Sequence, residues 1–211
     1  MAKGLVLRER GRLDEAETQF NKALQIATEE GDPEIASWTR SNQSLMLAMR
    51  GDLDAAVAMA RRNCELTERL GDVFSRSLAL SNLGGAQIAA GDYAGALDTL
   101  EEAERVYRAA VSDGDEMETW RAGLRSEALT GVGRAEEGLE LAEWATEVAR
   151  ERGMLWSLPL ALQAVAIART ALGRDGAEEA LDEAAEVARG TGAMISLEAV
   201  ETTRATLGVL R

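Results

Sequence analysis

Few side chains in this sequence are of types that do chemistry unaided. Its 211 residues include no histidine, one cysteine (Cys64), and 37 carboxylates against 23 lysines and arginines. Without histidine there is no usual general base near neutral pH, and no Ser-His-Asp arrangement. The commonest metal ligand is missing too. Asp113-Gly114-Asp115-Glu116 resembles a calcium loop at first sight. Its glycine stands at the wrong place and no acidic residue follows at the required distance, so it reads as a helix-capping turn, longer than its neighbours. Gly131-Val132-Gly133 lacks the downstream glycine-lysine element of a phosphate loop. The remaining carboxylates and Arg61-Arg62 suit solvated helix faces where Glu and Arg pair. The chain is therefore expected not to be an enzyme, and to need no cofactor or metal.

The balance of charge narrows the partners. The formal net charge is −14, which repels nucleic acid backbones and anionic membranes and favours basic or amphipathic proteins and peptides. A single cysteine rules out an intrachain disulfide and fits a reducing compartment. The first apolar run, Leu5-Val6-Leu7, is far too short for a signal sequence or a membrane span. A cytoplasmic protein is expected.

What positions these residues is a repeat. Gly11, Gly51 and Gly91 recur every 40 residues, and Gly133 and Gly173 continue the series. A second series, Gly31, Gly71, Gly114, Gly153 and Gly192, falls between them. Glycine supplies the left-handed conformation that ends a helix, and an aspartate after it, as in Gly31-Asp32 and Gly71-Asp72, caps the next one. Between the glycines the periodicity is helical. Tyr93, Ala96, Leu97, Leu100, Ala103 and Val106 form one apolar stripe opposite Asp98, Glu101, Glu102, Glu104 and Arg105. Pro33 and Pro159 stand near helix starts, where the missing N–H costs little. Aromatic residues make up only 4%, low for an enzyme built round a central core. The chain is read as all-α, with about eleven helical segments of which the first is truncated.

Aligned on the glycine turns, small residues recur in phase at Gly4, Ser44, Gly84, Ser126 and Ala166, and twelve residues later at Ala16, Ala56, Ala96 and Gly138. In the fifth copy a two-residue insertion brings Ala180, rather than Glu178, into that place. Further anchors follow at Phe20, Ala60, Leu100 and Ala142, then at Ala23, Asn63, Ala103 and Ala145. Asn63 departs from the pattern, and its neighbour Cys64 is expected to pack inward. In these anchors, and in Leu83-Gly84, the sequence resembles the tetratricopeptide (TPR) repeat, although its period is about 40 residues rather than the family's 34 and the usual terminal proline is absent. The longer period is similar to that of large bacterial signal-transduction regulators, such as the sensor region of the maltose-regulon activator, and of the arrays in bacterial ATPase regulators and nucleotide cyclases.

The resemblance implies a right-handed α-solenoid of antiparallel helix pairs. It would run over residues 1–211 as one repeat domain, with turns near 11, 51, 91, 133 and 173 and a C-terminal capping helix at about 193–210. The truncated first helix points to a piece of a larger bacterial regulatory protein. The family's first helices line a concave groove. Carried over, the groove positions are Trp38, Ser41, Asn42, Leu45 and Met49; Leu78, Ser81, Asn82 and Ile88; Trp120 and Glu127; and Gln163 and Ile167. Such a stripe suits an apolar helix or an extended peptide. The family's lysine-based clamp for a peptide carboxylate is not expected, since lysine occurs only at Lys3 and Lys22. The function implied is a protein- or peptide-binding scaffold. The alternatives are a small-molecule-sensing domain of a regulator, and a spacer forming homodimers through the truncated first repeat around Leu5 and Val6.

Overall fold

The structure, a computed structural model, describes residues 1–109 and 116–209. The described residues form eleven α-helices and no strand. They are α1 (Ala2–Glu9), α2 (Leu13–Glu29), α3 (Pro33–Met49), α4 (Leu53–Leu70), α5 (Val73–Ala89), α6 (Tyr93–Arg108), α7 (Glu116–Gly131), α8 (Ala135–Arg152), α9 (Leu158–Ala171), α10 (Ala177–Thr191) and α11 (Met194–Val209). The fold is the all-α, TPR-like solenoid of paired helices that the repeat implies. Both prolines stand in the first turn of a helix. Every turn glycine of the two series has a left-handed φ between +66° and +84° where it is described. Gly114 and the rest of the 113–115 turn lie outside the described residues, as does Leu210 of the expected capping helix.

Contacts divide the chain into two compact units, Met1–Val111 and Ser112–Arg211. In the first, each helix of α1 to α6 packs on the next, and α3 also lies beside α5. Its helix starts are capped by aspartates. Asp32 accepts from the Ile35 N–H at 3.0 Å, Asp52 from Ala55 at 3.3 Å and Asp92 from Gly95 at 3.0 Å. Asp72 accepts from both Phe74 (3.3 Å) and Ser75 (3.0 Å). Each such cap contributes about 1 kcal/mol.

The crossings follow the small-residue pattern. A Cβ added to Gly84 would come within 2.5 Å of Leu100 Cγ, so the third pair closes on a residue with no side chain. Where the same position is serine, its hydroxyl donates across the crossing. Ser44 Oγ bonds the Ala56 carbonyl at 2.9 Å, and in the second unit Ser126 Oγ bonds that of Gly138 at 2.7 Å. Asn63 corrects an expectation: it, rather than Cys64, is the inward residue, 1% exposed. Its Nδ2 donates to the Ser37 carbonyl and to Ser41 Oγ, both at 3.0 Å, and these bonds offset the cost of burying an amide. Cys64 is half-buried, and burial pushes its thiol up to about 12.

The second unit packs α7 on α8 and α9, α8 on α9, α9 on α10, and α11 on α10 and α9. Its core joins Leu139, Leu158, Leu162, Val165, Leu181 and Val200 to a run of buried alanines. Burial of each large side chain is worth about 1.5–3 kcal/mol. The two-residue shift in the fifth pair is visible here. Ala180 is buried, whereas Glu178 is partly exposed and accepts from Arg204 Nη1 at 2.5 Å. None of α8, α9 and α10 carries a side-chain N-cap.

Candidate functional site

The groove positions fall into two groups, one in each unit. In the first unit they lie on α3 and α5, which are neighbours. On α3, Trp38, Asn42, Leu45 and Met49 follow helical spacing along one face. Trp38, Asn42 and Met49 are half-buried, and Leu45 is 39% exposed. On α5 the corresponding stripe is Leu78 and Asn82, both half-buried. Ser41, Ser81 and Ile88 are buried. Ser41 accepts from Asn63 of α4 and so ties two helices, whereas Ser81 Oγ donates to the Ser77 carbonyl of its own helix at 2.8 Å.

The in-phase asparagines share one bond and differ in another. Asn42 Nδ2 donates to the Trp38 carbonyl and Asn82 Nδ2 to the Leu78 carbonyl, each at 2.8 Å. Donating to a carbonyl four residues back anchors both amides on their own helix. Asn42 Oδ1 also accepts from Arg8 Nη1 of α1 at 2.5 Å. Asn82 Oδ1 has no partner among the described residues, and one N–H of its amide is likewise free. Sequence reasoning missed Phe74, 41% exposed. It lies four residues before Leu78, on the same α5 stripe, and extending the family positions by one turn finds it.

In the second unit, Trp120 on α7 is half-buried and tilted against Trp156, with ring centroids 5.5 Å apart at 45°. Trp156 is 50% exposed, as is Leu155 beside it. Gln163 on α9 is buried, and Ile167 packs against the core. A Cβ on Gly123 would lie 3.2 Å from Leu160 Cγ, which brings α7 close to α9. Glu127 is half-buried, and desolvation raises its carboxyl to about 7.

Two clefts lie away from these stripes. One, of about 220 Å³, is lined by Met1, Ala23, Ile26, Ala27, Glu30, Asp32 and Ile35. The other, of about 450 Å³, lies in the second unit between α8 and α10, floored by α9. Among the described residues no group of three or more cysteines and carboxylates is arranged to hold a metal ion. No described helix is long and apolar enough to cross a membrane.

Comparison with known proteins places tetratricopeptide repeats in the chain: models of the repeat match residues 1–69 and 77–109. No curated protein sequence matches. Among solved structures, a Podosopora anserina kinesin light chain protein with nearly identical TPR-like repeats is 17% identical, with a TM-score of 0.63, covering 90% of this chain and 93% of that one. Bacillus thuringiensis PlcR, solved in complex with the peptide PapR7 and DNA, is 16% identical with a TM-score of 0.73, covering 94% of this chain and 71% of that one. Aspartyl phosphate phosphatase F of Bacillus subtilis is 16% identical with a TM-score of 0.62, and this chain spans about half of it (97% against 54%). At these identities the likeness is one of fold.

Proposed function

We propose that this chain is a scaffold that binds a protein or peptide, and that the first unit holds its partner on the face formed by α3 and α5. The observation that carries the reading is the juxtaposition on that face of exposed Leu45 and half-buried Trp38, Met49 and Leu78 with Asn82, whose carbonyl oxygen is unengaged. Apolar side chains of a partner would rest on the stripe while its backbone N–H bonds Asn82 Oδ1. The charge of −14 favours a basic or amphipathic partner. PlcR, of similar fold, was solved with a peptide bound, which supports the class of ligand. On this reading the chain serves a cytoplasmic regulatory protein, and in the second unit the exposed Trp156 beside Trp120 offers a further contact.

The test uses a displayed peptide library panned on the full chain. Selected peptides are then titrated by fluorescence anisotropy against the wild type and against Leu45→Ala/Asn82→Ala. Loss of two anchors of about 1 kcal/mol each predicts affinity weakened about tenfold to thirtyfold. Equal affinity in a variant of unchanged circular dichroism, or a library yielding nothing above background, defeats the reading. Sedimentation of the same samples tests self-association through Val6, which is 51% exposed.

A further inference from the structure

The cleft between α8 and α10 has the composition of a binding site for an alkylammonium group. Its floor includes Leu162 and Val165 of α9, both buried. One wall carries Glu143, Thr146, Glu147 and Arg150 of α8, and the other Glu179, Ala180 and Glu183 of α10. Four glutamates thus face two arginines, and the arginines are already engaged. Arg150 Nε donates to Glu183 at 2.7 Å, and a second Arg150 nitrogen grips the same carboxylate. Arg169 donates to Glu143 at 2.8 Å and to the Gly176 carbonyl at 3.2 Å. Gly176 has a φ of +91°, a left-handed conformation that favours glycine, and it sits against Arg169 Nη1 at the end of the cleft. Glu147 and Glu179 are left exposed, with no ion pair among the described residues.

A second observation points the same way. Thr146, 4% exposed, lines the cleft, and its hydroxyl has no hydrogen-bond partner among the described residues. An unsatisfied buried hydroxyl is costly and is seldom kept without a partner. An ammonium supplies the missing donor, the spare carboxylates supply countercharge, and Leu162 and Val165 supply an apolar track for a methylene stem.

We propose that this cleft binds a primary alkylammonium on a methylene chain, the chemistry shared by a free polyamine and a lysine side chain. The cation lies between Glu147 and Glu179 within reach of Thr146, and its stem lies over Leu162 and Val165. This site is in the second unit and is independent of the α3–α5 face.

The experiment is calorimetric titration of the full chain at low salt with two probes, spermidine and an acetylated tetralysine peptide. The wild type binds at least one of them with a stoichiometry of one. Glu147→Gln/Glu179→Gln weakens that binding tenfold or more, and Thr146→Val weakens it severalfold. A control of equal charge change on other helices, Glu34→Gln/Glu101→Gln, leaves it unchanged. Binding of spermidine alone assigns a polyamine site, and binding of the peptide alone assigns a lysine pocket. No binding of either probe overturns the proposal. Equal loss in the cleft variant and the distant control also overturns it, by showing general attraction to an acidic surface. Each variant's thermal unfolding is recorded, and Glu147→Gln alone serves as the milder variant should the pair unfold.

Discussion

The two units place the same helical hairpin on different chemical footings. The first is seamed with hydrogen bonds. Ser44, Asn63 and Ser77 donate between helices there, Asn63 to Ser37 and Ser41, and four of its helices start on an aspartate cap. The second is seamed largely with alanine, from Ala142 to Ala188, and α8, α9 and α10 have no side-chain cap. What the repeat demands is therefore small volume at the crossings. Whether that volume is polar or apolar is decided locally, by whether a carbonyl or hydroxyl stands within reach. The polar seam ties helices to particular partner atoms, while the second unit, apart from bonds such as that of Ser126 to the Gly138 carbonyl, relies on the close approach of alanines.

This contrast can be broken most forcibly at the crossings. A Cβ on Gly138 would lie 2.8 Å from the Ser126 carbonyl oxygen, a backbone atom, whereas on Gly84 it meets the side chain of Leu100. Gly138→Ala is expected to cost the second unit about 3 kcal/mol and Gly84→Ala the first about 1 kcal/mol, after the helix-propensity gain of alanine. Hydrogen exchange resolved by unit measures both, and equal losses would mean that backbone and side-chain obstacles yield alike. Next, Ala145→Asn places an amide where Asn63 stands in the other unit but with no shown partner, at an expected cost of about 2 kcal/mol. The reverse change, Asn63→Ala, should cost about 1 kcal/mol. Chemical denaturation of the two variants checks the order, and a larger loss for Asn63→Ala would show that the polar seam carries more than its geometry indicates. Smaller still, Asp32→Ala or Asp72→Ala should remove about 1 kcal/mol from the first unit, read as faster exchange at the N–H groups of Ile35 or Ser75.

The finest distinction is in pH. Glu127 in the second unit has a carboxyl raised to about 7 from an ordinary 4.5 by burial. The folded state then binds this proton more tightly than the unfolded chain, so its contribution is full below about 4.5 and is lost as pH rises towards 7. Asp72 in the first unit has the opposite sign. Its carboxyl is held below the usual range by Ser75, through the side chain and then the backbone, although the hydroxyl completes no full hydrogen bond, and by the Phe74 N–H. Its stabilisation is present above the ordinary aspartate value and lost as pH falls through the lowered one. Acid should thus loosen the first unit at this cap while neutral pH loosens the second at Glu127. Glu127→Gln should flatten the second trend in pH-dependent exchange, and persistence of the slope would assign it to another group.

Much of this fold is legible in the glycines, because a left-handed turn leaves few residues to choose from. The small residues at Gly84 and Gly138 are legible for a similar reason: a close crossing admits little else. Asn63 is harder, since its acceptability depends on Ser37 and Ser41, more than twenty residues away. Of the candidate face, Leu45 and Asn82 follow from register, but register alone does not separate them from buried Ser41, four residues before Leu45, and buried Ser81, next to Asn82. The alkylammonium cleft is invisible in the sequence. Its lining comes from three helices, and nothing in the local sequence separates Glu147 and Glu179 from other unpaired surface glutamates such as Glu34 and Glu101.

Cys64 turns the packing of α4 into a clock. With its thiol pushed up to about 12, the closed state holds almost no thiolate at neutral pH, and the side chain is half covered. A maleimide therefore reacts mainly during excursions in which α4 parts from its neighbours and the thiol regains ordinary acidity. Because the chain has one cysteine, each labelled molecule records one opening at one known place, and the labelling rate divided by that of a free thiol gives the fraction of time the first unit stands ajar.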